Sequence, residues 1–319
     1  MTQPASPTSP RPPDASLIGV ASALGCFGLW GAFPVYFKLL GHVPALEVLA
    51  HRVLWSAVLL LGLILAQWQW SALRAEFRDP RRLCFYLVTA LLISGNWLLY
   101  IWAVQHGRIL EASLGYYINP LVNVLLGVLF LRERLNPRQW SAVALAAAGV
   151  LVLVVGHGVL PWISLTLALS FGGYGLLRKK AGHAATLGLC VETVLLAPLA
   201  LVFLAGLAAR GGGALGGANG QTDLLLLAAG PVTVAPLLLF LQATRLLRLS
   251  TVGLIQYLTP TLQFLLAVAL YREPFTPIHL AAFGCIWLAL ALYSIDAWFG
   301  YRPRPRPAWT TTSRRGVPP

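Results

Sequence analysis

The sequence predicts an all-α membrane protein of ten transmembrane helices, arranged as two inverted five-helix repeats, and three observations carry that prediction. Hydrophobic residues make up 58% of the 319 positions and charged residues 10%, with a mean hydropathy of +0.74, whereas soluble domains carry roughly 25% charge. Ten apolar runs follow one another with short connections, each close to the roughly 20 residues that cross a hydrocarbon core as a helix. The fourth run aligns without gaps on the ninth when the sequence is shifted by 140 residues, a self-similarity that marks a repeat architecture.

Taken in order, residues 1–15 (MTQPASPTSPRPPDA) are too rich in Pro, Ser and Thr to pack and are expected to form a disordered leader. The apolar run behind them is too long for a cleaved signal peptide. Spans are expected at 16–37, 45–66, 83–104, 110–131, 139–156, 160–177, 185–207, 223–244, 250–271 and 277–299, read from apolar runs between breakers. The first five form a repeat over 16–156, the second five a repeat over 157–299, and 300–319 is a basic Pro/Arg-rich tail. Five spans per copy is an odd number, so the two copies must enter the membrane from opposite sides, the build of many secondary transporters with a solute site near the midplane.

The net charge of +13 is sorted rather than spread. Eighteen of the 23 Lys and Arg residues fall in one alternating set of exposed segments, among them Arg74, Arg78, Arg81, Arg82, Arg178 and the tail arginines. Only Lys38, Arg108, Arg210 and Arg272 fall on the other side. Positive-inside sorting accounts for this and places both termini in the cytoplasm. The same sorting argues against nucleic acid as a partner.

The repeat sets YYINPLVNVLLGVLFLRERLNP (116–137) over QYLTPTLQFLLAVALYREPFTP (256–277), so that Tyr117 meets Tyr257, Pro120 meets Pro260 and Arg132 meets Arg272. Tyr116, Asn119 and Asn123 occupy one helix face. Their counterparts Gln256, Thr259 and Gln263 form a second polar stripe. Amides at membrane depth either tie helices together, each contributing about 0.6 to 2 kcal/mol, or line a wet cavity; the paired stripes point to the cavity. Asn96, with Trp97 and Tyr100 on the third span, and Gln242 on the eighth extend the expected substrate-binding set. Pro120 and Pro260, each lacking a backbone donor, are the expected hinges.

Ionisable residues inside spans are functional candidates by default because their burial is costly. Arg52 has Glu47 and His51 nearby in sequence, and Glu111 and Lys38 begin or end spans at the same level. An external ion-pair cluster with a gating role is expected there, alongside the plainer reading of helix-end pairing. Glu192 has no basic residue three or four positions away and is the proton-coupling candidate, against a plainer reading of hydrogen bonding to Arg178, Lys179 or a neighbouring helix. Glu133 and Glu273, in short connections, are expected to serve as turns and caps.

Enzymatic chemistry finds no support. The chain has no GxxxxGK[ST], HExxH or GxSxG, and no two of its six histidines share a span face as metal ligands would. Neither metal nor other cofactor is expected. Cys26, Cys84, Cys190 and Cys285 sit singly in apolar runs and are expected to be small buried hydrophobes.

The segments FGLWGAFPVYFKLL, ALEVLAHRVLWS, GNWLLYIWAV, LEASLGYYINPLVNVLLG, YGLLRKK, ATRLLRLSTVGLIQYLTPTLQFLLAV and FGCIWLALALYSIDA resemble the RarD branch of the EamA-domain, drug/metabolite transporter superfamily over about 16–298. The resemblance implies a ten-helix inner-membrane transporter and carries the traditional label "chloramphenicol-sensitive protein". It brings no catalytic residue set. The expected function is a secondary permease or exporter moving a small neutral, zwitterionic or aromatic metabolite or drug by alternating access. The alternative is a structural or sensory membrane protein whose stripes only hold helices together. Expected partners are a small-molecule solute and the lipid bilayer, with a homodimer permitted.

Overall fold

The computed structural model describes residues 13–300 except 133–134, 182–184, 218 and 248. The leader up to residue 12, the tail from 301 and the expected cap Glu133 therefore lie outside the described residues. Those described form helices and their connections, with no strand among them.

Helices α1 (Pro13–Gly31) and α2 (Phe33–Leu39) together make the first crossing. Pro34 sits in the first turn of α2, where its missing N–H leaves no helical bond unmade. The first helix begins at Pro13, so the last three residues of the expected leader are helical. Helix α3 (Ala45–Ala66) has the limits its apolar run predicts. Next comes α4 (Trp70–Arg78), too short to cross a membrane and lying in the connection between the second and third spans. It tucks Leu73 and Glu76 inward and leaves its remaining face mostly exposed.

Asp79 caps α5 (Pro80–Gln105), its Oδ1 accepting the Arg81 N–H at 2.9 Å. Helix α6 (Ile109–Leu131) runs through Pro120, and Asn136 with Gln139 forms a capping box at the start of α7 (Pro137–His157). The second half follows with α8 (Trp162–Ala181), α9 (Ala185–Ala209) and α10 (Gly220–Leu246). Its fourth crossing is assembled from α11 (Leu249–Ile255), α12 (Leu258–Leu265) and a π-helical turn over Leu266–Leu270, before α13 (Pro277–Gly300) closes the bundle.

Nine helical spans among the described residues, two of them built from consecutive shorter helices, are long and apolar enough to cross a membrane. Helix α8 is the tenth. It ends in Arg178, Lys179 and Lys180 and carries Ser and Gly positions, which it tolerates because it packs extensively against α6 and α5.

The packing repeats with the sequence. Helix α3 packs on α9, α6 on α12 and α7 on α13, each pair being the same helix of the two halves. Helix α1 lies against α10 and α12 as α8 lies against α5 and α6, and α3 meets α10 as α9 meets α5. Most large interfaces therefore join one half to the other around a pseudo-two-fold axis. The repeat reaches the backbone: Arg132 (φ 56°) and Arg272 (φ 53°), matched by the 140-residue shift, both adopt the left-handed conformation that ends a helix and usually selects glycine.

Close approach between halves depends on small residues. A Cβ at Gly115 would stand 2.8 Å from the Ser164 carbonyl oxygen of α8, and one at Gly149 would stand 2.9 Å from the Ala282 oxygen of α13. Of the cysteines, Cys26 and Cys190 are buried, but Cys84 is exposed and Cys285 half-buried. The expectation of four buried cysteines is corrected because an apolar run in a membrane protein has an outward face as greasy as its inward one.

Candidate functional site

The bundle has an arginine-rich end, bearing Arg74, Arg78, Arg81, Arg82, Arg178 and Arg245, and an opposite end bearing Lys38, Arg108, Arg210 and Arg272. Arg52 lies on α3 about 10 Å in from the opposite end, at 1.5 Å per helical residue. It is only 5% exposed. Its Nε donates to Thr233 Oγ1 of α10 at 2.8 Å, and its guanidinium stands 4.0 Å from the centre of the Trp97 ring, with Phe33 and Phe37 at 5.5 and 5.8 Å.

Aromatic contacts extend from there. Phe37 packs edge-on to Tyr100 (5.9 Å), Tyr100 to Tyr116 (5.6 Å) and Tyr116 to Phe171 (6.2 Å). The phenols of Tyr36, Tyr100 and Tyr116 are all within electrostatic reach of the guanidinium. The cluster thus joins α2, α3, α5 and α6 of the first half to α8 and α10 of the second. Burial of a lone charge costs several kcal/mol, whereas a desolvated cation–π contact contributes about 2 and a charged hydrogen bond about 1.5 to 3.

No carboxylate among the described residues lies within 4 Å of Arg52. The expected external ion-pair cluster is corrected on this point. Glu47 and Arg52 are five residues apart and so face different ways on their helix. Glu47 Oε1 instead accepts the Ala214 N–H at 2.6 Å, and Glu111 pairs with Arg108 at 3.3 Å. Thr233, the group that does hold Arg52, was missed in the sequence; its only signal was a hydroxyl between Pro231 and Pro236 in an apolar run.

The two polar stripes do not converge on one space. Asn119 Nδ2 donates to the Ala168 carbonyl of α8 at 3.1 Å, and Asn123 Nδ2 donates to Asn119 Oδ1 at 3.0 Å. On the matching seam, Thr259 Oγ1 donates to the Phe27 carbonyl at 2.9 Å, and Gln263 Nε2 to the Trp30 carbonyl of α1 at 3.1 Å. Each stripe therefore ties the fourth helix of one half to the first helix of the other. Asn96 joins in, donating to the Leu167 carbonyl (3.0 Å) and Ser170 Oγ (2.8 Å). Gln242 is exposed on α10, and Gln256 is half-buried in the break between α11 and α12, ahead of Pro260.

Glu192, on α9, is 1% exposed. Thr89 donates to its Oε1 at 2.7 Å, Tyr174 donates to its Oε2 at 3.1 Å, and Arg178 Nη1 stands 3.7 Å away. It joins α5, α8 and α9 near the arginine-rich end. The basic partner missing from its own helix comes from α8.

The opposite end is closed by contacts between halves. The Tyr36 hydroxyl donates to the Leu225 carbonyl (2.7 Å), and His42 Nε2 pairs with Thr222 Oγ1 (2.8 Å). Glu273 accepts the Ile109 and Leu110 N–H groups at 2.8 and 2.7 Å, capping α6 with both carboxylate oxygens. Two openings lie elsewhere. One is a lateral groove of about 470 Å³ lined by Tyr117, Tyr257, Thr261, Phe264 and Trp287, the other a recess of about 310 Å³ beside Arg108, Glu111 and His279. Both are mostly apolar and neither reaches Arg52, so the buried chemistry, and not the larger volume, marks the candidate site.

Ten crossings, inverted halves and a buried polar cluster shared between those halves define a multi-pass helical membrane protein of the transporter kind. The chain belongs to the EamA-like transporter family, whose sequence model matches residues 17–155, and within it to the RarD branch. It is 49% identical over 300 residues to an uncharacterized transporter of Pseudomonas aeruginosa, covering 91% of this chain and 97% of that protein. It is 46% identical over 286 residues to Protein RarD of Salmonella typhimurium, covering 90% and 97%. A solved crystal structure covers 91% of this chain and 99% of its own with a TM-score of 0.55 at 20% identity, a likeness of fold alone.

Proposed function

We propose that this transporter is a secondary permease or exporter of the bacterial inner membrane, with both termini cytoplasmic, moving a small neutral, zwitterionic or aromatic solute by alternating access. The observation that carries the reading is the cluster of Trp97, Tyr100 and Tyr116 around Arg52, built by helices of both halves and closed off toward the opposite end. Two half-bundles that meet on shared interfaces can rock about such a cluster. Opening that end requires the Tyr36–Leu225, His42–Thr222 and Glu47–Ala214 contacts to break. Glu47 is in this sense a gating residue, Arg52 is a second because its bond to Thr233 also joins the two halves, and Pro120 and Pro260 are the proposed bend points.

The stripe residues Asn119, Asn123, Thr259 and Gln263 contribute by holding the seams along which the halves move. Glu111, paired with Arg108 at the rim, has no further part in this reading. Glu192 is the buried carboxylate available for proton coupling. A flux with the same pH profile in wild type and in Glu192→Gln removes it from that role.

The test is purified protein in liposomes, supplied with labelled amino acids and phenicols under imposed pH and voltage gradients. The expected result is uptake of at least one solute that falls at least tenfold in Tyr116→Ala while the protein stays folded. Flux indifferent to Tyr100 and Tyr116 discards the site, and no flux for any small solute discards the function.

A further inference from the structure

Buried polar groups are nearly always satisfied; of eight exceptions among the described residues, Gln263 Oε1 and the Arg178 Nη1 that stands beside Glu192 lie elsewhere, and six belong to residues of α3 and α5 near Arg52 and Trp97 in sequence. The Tyr100 hydroxyl, both His51 ring nitrogens, Trp55 Nε1, Ser56 Oγ and Asn96 Oδ1 are buried without a hydrogen-bond partner. His51, Trp55 and Ser56 lie within about one turn of Arg52 on α3, and Asn96 and Tyr100 flank Trp97 on α5. Arg52 itself spends Nε on Thr233 and holds its guanidinium carbon 4.0 Å over the Trp97 ring. That leaves the edge bearing both Nη groups, the edge that receives a carboxylate through two parallel hydrogen bonds.

Glu192, its repeat counterpart 140 residues on, is surrounded by donors and has Arg178 beside it. Arg52 has no such counter-charge among the described residues. From this contrast we infer that Arg52 is the anion-recognition residue of the solute site, its Nη groups binding the single carboxylate of a solute whose apolar or aromatic body lies among Trp97, Tyr100 and Tyr116.

The inference rests on the cluster being the solute site and revises the substrate class, replacing its neutral members with monocarboxylates. A second negative charge on the solute has no buried cation to meet it in this cluster, so the solute carries one carboxylate and a largely uncharged remainder. The Tyr100 hydroxyl, unpartnered and 2% exposed, supplies a further donor for the same group. A zwitterion is accommodated if its ammonium finds the faces of Tyr116 or Phe37.

The experiment measures binding to the full chain in nanodiscs by isothermal titration in chloride-free buffer. The probes are matched acid and amide pairs: 4-hydroxyphenylacetate with 4-hydroxyphenylacetamide, 3-phenylpropionate with its amide, and hexanoate with hexanamide. At least one acid is expected to bind ten times or more tighter than its amide. That ratio should collapse to about one in Arg52→Met, whereas Arg52→Lys, which keeps the charge but not the fork, retains a reduced preference. Arg52→Met should melt no lower than wild type, because it removes a buried charge that lacks a counter-ion.

Amides binding as tightly as their acids, a preference untouched by Arg52→Met, or no acid binding at all each overturn the inference. Should Arg52→Met fail to fold, an acid preference that Arg52→Lys leaves at full strength overturns it equally. The outcome for the underlying transport reading is separate. Arg52-dependent acid binding without flux of that acid in liposomes keeps the anion site and removes the transport role. Flux of a neutral solute that needs Tyr116 without any acid preference does the reverse.

Discussion

Arg52 and Glu192 are the same position in the two halves of this protein, each seven residues beyond the first residue of its helix, Ala45 in α3 and Ala185 in α9. Because the halves are inverted, the cation lies about 10 Å in from one end of the bundle and the anion about 10 Å in from the other. They are neutralised differently. Glu192 meets Thr89, Tyr174 and Arg178, whereas Arg52 meets aromatic faces and a threonine hydroxyl. A symmetry in position carries an asymmetry in chemistry.

Glu192→Gln should destabilise the protein by about 3 kcal/mol, since removing one partner of a buried ion pair strands the other. The amide NH2 would also face donors it cannot satisfy. Thermal unfolding in detergent reads this out, and Glu192→Gln combined with Arg178→Gln should recover part of the loss. A double variant no more stable than the sum of the single ones refutes the coupling.

Asn119→Leu and Gln263→Leu should each cost about 0.6 to 2 kcal/mol, the range for interhelical hydrogen bonds in membranes, and add when combined because they lie on different seams. Flux per folded molecule should hold. A folded Asn119→Leu protein with abolished flux would instead make Asn119 a solute contact.

Glu273→Ala removes the cap from the first turn of α6 and should cost about 1 to 2 kcal/mol. Hydrogen exchange at Ile109 and Leu110 should rise while the middle of α6 stays protected. Unchanged exchange at those two amides contradicts the capping role.

Gly115→Val forces a side chain into the Ser164 backbone, where even a Cβ would stand at 2.8 Å. Separation of α6 from α8 should lower the melting temperature more than Gly284→Val, whose glycine has nothing within 4 Å of a Cβ. Equal shifts in the two variants count against close packing on that seam.

Tyr100→Phe deletes a buried hydroxyl that has no protein partner, so stability should be unchanged or slightly improved. Flux or binding should fall severalfold if the hydroxyl serves a solute. A loss of stability with intact transport makes Tyr100 a packing residue only.

The sequence by itself determined the ten crossings, their inverted pairing and part of the buried polar set: it singles out Arg52, Asn96, Asn119, Glu192, Thr259 and Gln263, but also the exposed Asn123 and Gln242, and it misses Thr233. A bilayer demands about 20 apolar residues per helix and makes each departure from that rule conspicuous; thus the 140-residue repeat, Arg52, Glu192 and both stripes are legible in the sequence. Tertiary structure alone decided what each polar group touches. Asn119 reaches a carbonyl 49 residues away and Gln263 one 233 residues away, while Arg52 is answered by Thr233 and Trp97 and not by the nearby Glu47. A span's composition says that a polar group needs a partner, but the rotation and crossing of packed helices select which one, and no local spacing in the chain encodes that choice.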